Sequence, residues 1–217
     1  TIGRNKELHM TFIAMISMED CVVLAADRET FSIYTSGSSE PSGVMARKIT
    51  ETEDGFVTAS GLVELIDPVK SRFDSESPKD VEHMLAIIAE EQQRLALHDS
   101  KLAGVWIPKS TWKLSLPMGR GVVAVFYDPT AHSLGGLRPG SVMMTYPGEV
   151  PTDEKMYVDG LFPQGRFIKP SESEISKAID QILLAVTFLR ECGRPVSREI
   201  DFAIHWGSEK RKIELLA

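Results

Sequence analysis

The sequence predicts an α+β domain in which antiparallel strands carry helices on their outer faces. Three observations point there: short β-branched and apolar runs joined by turn-like clusters, two long stretches with apolar residues at helical spacing, and an order of strands, two helices, strands, a helix and two strands. A four-layer αββα sandwich of two antiparallel sheets fits that order. The 217 residues, 42% hydrophobic and 25% charged, suffice for one well-filled domain and match ordinary globular usage.

Residues 12–16 and 21–26 are apolar runs separated by Ser17-Met18-Glu19-Asp20, which reads as a hairpin. Residues 35–43, rich in Ser and Gly, read as a mobile loop, and runs at 44–50 and 56–60, joined through Glu53-Asp54-Gly55, extend a strand meander. Gly61 breaks the pattern, after which Leu62, Leu65, Ile66 and Val69 recur at helical spacing. Ser77 is placed as the next N-cap, with Pro78 at the first helical position. Val81, Met84, Leu85 and Ile88 then form one face of a helix reaching about Leu97.

An irregular Trp/Pro segment follows. Strands at 121–127 and 141–146, with Asp128-Pro129 and Gly135-Gly136 between them, read as a second hairpin. Ser171 and Glu174 form a capping box ahead of a stripe of Ile175, Ile179, Ile182, Leu183 and Val186, which Gly193 and Pro195 stop. Residues 200–206 and 212–216 close the chain as strands.

Composition excludes several classes of function. A net charge of −7, without a clustered basic face, argues against nucleic acid as a partner. The apolar runs stay far short of the roughly 20 residues of a spanning helix, so no membrane partner is expected. Two cysteines, Cys21 and Cys192, cannot build a disulfide framework or a zinc site alone, which suits a reducing cytosol. The first ten residues lack an apolar signal core, so the expected location is cytoplasmic. Residues 1–10 read as a remnant of cloning or a natural pro-segment and are left out of the fold; residues 11–217 read as a single domain.

Gly-x-Ser-x-Gly, phosphate-loop and Gly-x-Gly-x-x-Gly motifs are missing, as is a His pair at metal spacing. His83, His98, His132 and His205 are scattered and read as structural or surface residues. Cys192 follows a helix C-terminus, which raises a thiol pKa and argues against a nucleophile.

Thr11 opens a strand and is followed by Val22-Val23-Leu24-Ala25-Ala26-Asp27-Arg28, Met45-Ala46-Arg47-Lys48-Ile49 and Asp54-Gly55-Phe56-Val57-Thr58-Ala59-Ser60-Gly61-Leu62. Over residues 11–73 this resembles the N-terminal third of proteasome β-type subunits, and bacterial proteasome homologues look most similar. The resemblance implies an Ntn-hydrolase sandwich with Thr11 as an N-terminal nucleophile and Asp27, sixteen positions on, beside Lys48. It also implies the Gly61 N–H as oxyanion donor and Ala59 lining the substrate pocket. Further implications are a homo-oligomeric, stacked ring, peptide or unfolded-protein substrates, an ATPase partner left open, and no metal or organic cofactor.

The chemistry is self-consistent without the family. A threonine hydroxyl is a poor nucleophile, and a free α-amino group of pKa about 7.7–8.0 can accept its proton. A buried lysine favours the alkoxide, and a carboxylate beside it keeps the lysine charged and oriented. Sixteen positions beyond Thr1 stands only Ser17 in a turn, with no matching lysine, so Thr11 is the candidate. While residues 1–10 are attached its nitrogen is an amide, and the chain is expected to be inactive.

Two regions depart from the family pattern. Residues 157–165 contain no serine, and Ser197 matches the family's serine only with a one-residue shift. These departures support a rival reading, a catalytically silent ring or scaffold subunit. A third reading is an amide hydrolase of small molecules.

Overall fold

Strands buried on both faces read as continuous apolar runs, and those at residues 13–18 and 21–27 do so because each side of their sheet is covered. The computed structural model describes residues 6–9, 11–33, 39–78, 80–119, 121–129, 131, 133–148 and 150–217, with the side chains of 6–9, 33 and 39–41 outside that description. His132 lies outside the described residues.

The chain opens with strands β1 (Lys6–His9), β2 (Ile13–Met18), β3 (Cys21–Asp27), β4 (Glu29–Ile33), β5 (Ser39–Met45), β6 (Ile49–Glu51) and β7 (Phe56–Leu62). Helices α1 (Val63–Glu76), α2 (Val81–His98) and α3 (Ser100–Trp106) follow, then β8 (Thr111–Met118), β9 (Gly121–Asp128), β10 (Ser133–Leu137) and β11 (Val142–Thr145). Helices α4 (Thr152–Gly160) and α5 (Glu172–Glu191) lead into β12 (Glu199–Trp206) and β13 (Glu209–Leu216).

The fold is α+β with two antiparallel sheets. An eight-stranded sheet runs β10-β9-β8-β7-β1-β4-β5, and a five-stranded sheet runs β11-β2-β3-β12-β13. Strand β6 shares an edge of β7 with β1, pairing residues 56–58 while β1 pairs residues 61–62.

Three apolar clusters organise these elements. Phe12, Ala14, Ile16, Val23 and Ala25 pack with Ile175, Ile179, Ile182, Val186 and Leu189 of α5. Val57, Ala59, Trp112, Leu114 and Leu116 pack with α1, α2 and α3 through Leu65, Ile66, Met84, Ile88 and Ala103. The alternate residues Ile13, Met15, Val22, Leu24 and Ala26 cluster with Ile49, Phe56, Val122 and Ala124 of the larger sheet. The stripe on α5 therefore buries one face, while Ser171 caps its start by accepting the Glu174 N–H.

Several sequence expectations change. Residues 6–9, left out of the fold by sequence, form β1 inside the larger sheet. Residues 39–43, read as part of a loop, belong to strand β5, which continues to Met45. Ser77 ends α1 in the left-handed region at φ 45°, and Asp80 caps α2 by accepting the His83 N–H at 2.7 Å. The irregular Trp/Pro segment resolves into α3 and β8. Lys113 and Ser115 hid that strand, because both faces are buried and the polar residues pack inward too.

The expected hairpin of residues 121–127 with 141–146 does not form. Instead β9 pairs with β10, and β11 joins β2 in the other sheet. Gly135 and Gly136 lie within β10, where a Cβ on Gly135 would sit 2.1 Å from the Phe126 ring, so this glycine makes room for a cross-strand aromatic.

Candidate functional site

Asp27 ends β3 with its side chain fully buried, an arrangement that requires complete hydrogen bonding. Its Oδ1 accepts the Phe12 N–H at 3.0 Å and lies 3.2 Å from Lys48 Nζ. Its Oδ2 accepts the N–H groups of Ser197 at 3.2 Å and Glu29 at 3.3 Å. Lys48 precedes β6, is equally buried, and also donates to the Glu29 carbonyl. Burial pushes the Asp27 carboxyl up and the Lys48 amine down, and each is countered by the charge of the other.

Thr11 is fully buried, and its Oγ1 has no hydrogen-bond partner among the described residues. It immediately precedes Phe12, whose N–H and carbonyl are both tied to Asp27, the carbonyl accepting the Asp27 N–H at 3.1 Å. The main chain at the candidate nucleophile is therefore held by the candidate acid.

Gly61 adopts φ +144° near the end of β7 and pairs in register with His9 of β1. A Cβ there would lie 2.6 Å from Ser110 Oγ, so both conformation and space call for glycine. Ala59 is fully buried in the cluster beneath α1 and α2. Ser197 is drawn in from a distant part of the chain: besides its N–H on Asp27, its Oγ accepts the Arg28 N–H at 3.1 Å and donates to the Glu199 carbonyl at 2.7 Å. Lys48, Ser197 and Phe12 thus meet at Asp27, while Gly61 pairs with His9, two residues ahead of Thr11.

The sequence reading missed several contributors. Glu29 contributes its main chain, which no side-chain pattern can reveal. Arg28 holds Asp201 through Nε at 2.9 Å and bridges Glu199 and Glu214 at 3.3 and 2.7 Å, fixing β3 to β12 and β13. Lys113 is buried between β7 and β9, donates to the Thr145 hydroxyl, and is pushed down to about 7 by desolvation. A cleft of about 410 Å³ lined by Val142, Met144, Asp159 and Phe162 includes neither Thr11 nor Lys48. Among the described residues no group of His, Cys, Asp and Glu is set to hold a metal ion. None of the described helices is long and apolar enough to cross a membrane.

No protein-family model matches the chain, and no curated protein matches it. Among solved structures, an Anbu (Gly-1) mutant from Hyphomicrobium sp. strain MC1 aligns with a TM-score of 0.65, covering 95% of this chain and 88% of that chain at 12% identity. Assignment to the proteasome β-type family, suggested by residues 11–73, is therefore corrected: a likeness at 12% identity, with no family match, supports a shared fold and not that membership. The chain shares the fold of that Anbu structure.

Proposed function

We propose that this chain is a threonine-nucleophile hydrolase of peptide bonds, active once Thr11 becomes the N-terminal residue. The observation that carries the reading is the buried Lys48–Asp27 pair whose carboxylate also holds the N–H of Phe12, next to an unpartnered Thr11 hydroxyl. The Thr11 Oγ forms a bond to the substrate carbonyl carbon as its proton passes to the freed α-amine. The Gly61 N–H receives the oxyanion, the C–N bond breaks, and the amine gives its proton to the leaving nitrogen. Water then cleaves the acyl ester by the reverse proton path. Lys48 lowers the energy of the alkoxide, and Ser197 positions Asp27.

The three apolar clusters support a four-layer αββα arrangement, with α4 and α5 outside one sheet and α1 to α3 outside the other. Self-association into a symmetric assembly is part of the same proposal.

One observation favours the rival, a silent scaffold of the same fold: residues 6–9 are built into the sheet directly ahead of Thr11. The deciding experiment exposes Thr11 and treats the protein with an epoxyketone that requires both a threonine hydroxyl and a free α-amine. An adduct mapped to Thr11, and missing in Thr11→Ala, is the expected result. An exposed Thr11 that forms no adduct overturns the enzyme reading in favour of the scaffold. Turnover of small amides but not of peptides would move the substrate to the third class.

A further inference from the structure

Lys70 stands where the pattern of α1 calls for an apolar residue. Leu65, Ile66, Val69 and Phe73 form the buried stripe of that helix, and Lys70, one turn beyond Ile66 and one before Phe73, is buried on the same face. A lysine in such a place needs a partner, because its ammonium gives up hydration there. The Lys70 Nζ crosses from α1 to the chain ahead of β6 and donates to the Arg47 carbonyl at 3.2 Å. That carbonyl belongs to the peptide unit whose N–H is that of Lys48, the partner of Asp27. The same stretch is held independently by the Ala46 N–H on the Arg28 carbonyl at 2.8 Å.

Charge also ties Lys70 to the Lys48–Asp27 pair. Its own helix contributes Asp67 and Asp74, β12 contributes Asp201, and the segment before β6 contributes Lys48. Asp201 acts on both lysines; its Oδ1 accepts from Arg28, and its Oδ2 has no hydrogen-bond partner among the described residues. Strand β7 carries no charged residue, while Glu90 and Glu91 of α2 hold Arg72 and Glu51 of β6 holds Lys210 and Lys212. Burial pushes the Lys70 amine down to about 8, with Asp67 opposing that fall and Lys48 adding to it. At neutral pH Lys70 is therefore still a cation, lodged beside the pair.

We propose that Lys70 is a positioning residue for the reaction at Thr11: it holds the peptide unit between Arg47 and Lys48 so that Lys48 reaches Asp27, and its ammonium reinforces the positive potential that favours the Thr11 alkoxide. The effect on rate rests on the hydrolase reading above; the clamp on Arg47 does not. When Lys70 gives up its proton, the amine still donates to the Arg47 carbonyl, so the position is kept while the charge is lost. An arginine in its place keeps both donor and charge at every working pH, and a methionine keeps neither.

The test has two arms. In the full-length chain, hydrogen exchange at the Ala46 amide reads the clamp without any chemistry. It should be at least about tenfold faster in Lys70→Met than in the parent and close to the parent in Lys70→Arg, while the α5 amides stay the same in all three. In chains with Thr11 exposed, the rate of adduct formation with the epoxyketone is followed from about pH 6 to about pH 10. The parent should trace a bell, rising as the α-amine loses its proton and falling as Lys70 loses its own near 8. Lys70→Arg should match the parent below that fall and hold a plateau above it, whereas Lys70→Met should run at least about tenfold slower with no falling limb. A lysine with a merely structural role would leave the falling limb in place. Unchanged Ala46 exchange in Lys70→Met overturns the clamp. A falling limb that survives in Lys70→Arg overturns the role of the charge, whether or not Lys70→Met folds, and Lys70→Arg reacting as slowly as Lys70→Met overturns both. If no chain forms an adduct, the hydrolase reading fails and the exchange arm still decides the clamp.

Discussion

Lys48 Nζ stands 3.2 Å from Asp27 Oδ1, with both side chains sealed from solvent. Two charges withdrawn from water lose several kcal/mol of solvation each, and their attraction recovers that loss only with further hydrogen bonds. Asp27 has three main-chain donors for this purpose and Lys48 has the Glu29 carbonyl. A solvated pair would serve stability as well at lower desolvation cost, and the proposed hydrolase reading gives the burial a purpose at Thr11.

Breaking this pair from one side is expected to be costly. Lys48→Met or Asp27→Leu alone should destabilise by about 3–5 kcal/mol, because each leaves an uncompensated buried group. The double variant should recover most of that loss while remaining unreactive toward the epoxyketone. Urea unfolding of the three proteins checks this, and additive losses in the double variant would contradict the coupling.

Ser197→Ala separates two roles of one residue. The main-chain N–H on Asp27 survives, and the Arg28 N–H loses the hydroxyl but keeps the Glu199 carbonyl at 3.2 Å, for an expected cost of about 0.5–1.5 kcal/mol. Reactivity of an exposed Thr11 should fall less than in Asp27→Asn, as measured by the rate of adduct formation in the two variants.

Gly61→Ala is expected to destabilise for two reasons that a second substitution can divide. The φ of +144° strains any L side chain, and the new Cβ would meet Ser110 Oγ at 2.6 Å. Removing the hydroxyl with Ser110→Ala should restore part of the lost stability, since Ser110 Cα remains 3.0 Å away and the strain persists. Full recovery in thermal melts would show that the conformation itself carries no cost.

Lys113 makes stability depend on pH in a definite direction. Unfolded, a lysine keeps its proton up to about pH 10.5, whereas buried Lys113 gives it up near 7. Between those values the unfolded chain binds more protons, so stability should rise as pH increases from about 7 towards 10.5. Lys70, pushed down to about 8 by burial, adds a rise of the same sign. Lys113→Met should raise the urea midpoint at pH 7 and flatten the rise. A variant with the same pH slope as the parent would show that Lys113 stays charged when folded.

The local signals that worked are those in which side-chain chemistry acts within a few residues. The Ser171 cap and the stripe from Ile175 to Val186 placed α5, and the two apolar runs around Glu19-Asp20 placed β2 and β3, whose burial on both faces removes any polar alternation. Thr11, Asp27 and Lys48 were singled out only through the resemblance carried by residues 11–73, and the last two do meet, with Ser197 beside them.

What the sequence could not supply depends on partners far away in the chain. Ser77 carries the residue type of an N-cap, yet the left-handed end of α1 claims it and Asp80 caps α2 instead. Gly135 looks like a turn until Phe126 of the neighbouring strand occupies the space its missing Cβ leaves. Residues 6–9 have no apolar pattern to betray a strand, because β1 is specified by main-chain pairing on both edges, and main-chain groups are the same for every residue type. Composition and periodicity determined which segments could be helices and strands and which side chains could carry chemistry. Only the tertiary structure decided which edges pair, because that choice is made by the shape and hydrogen-bonding needs of segments dozens of residues apart.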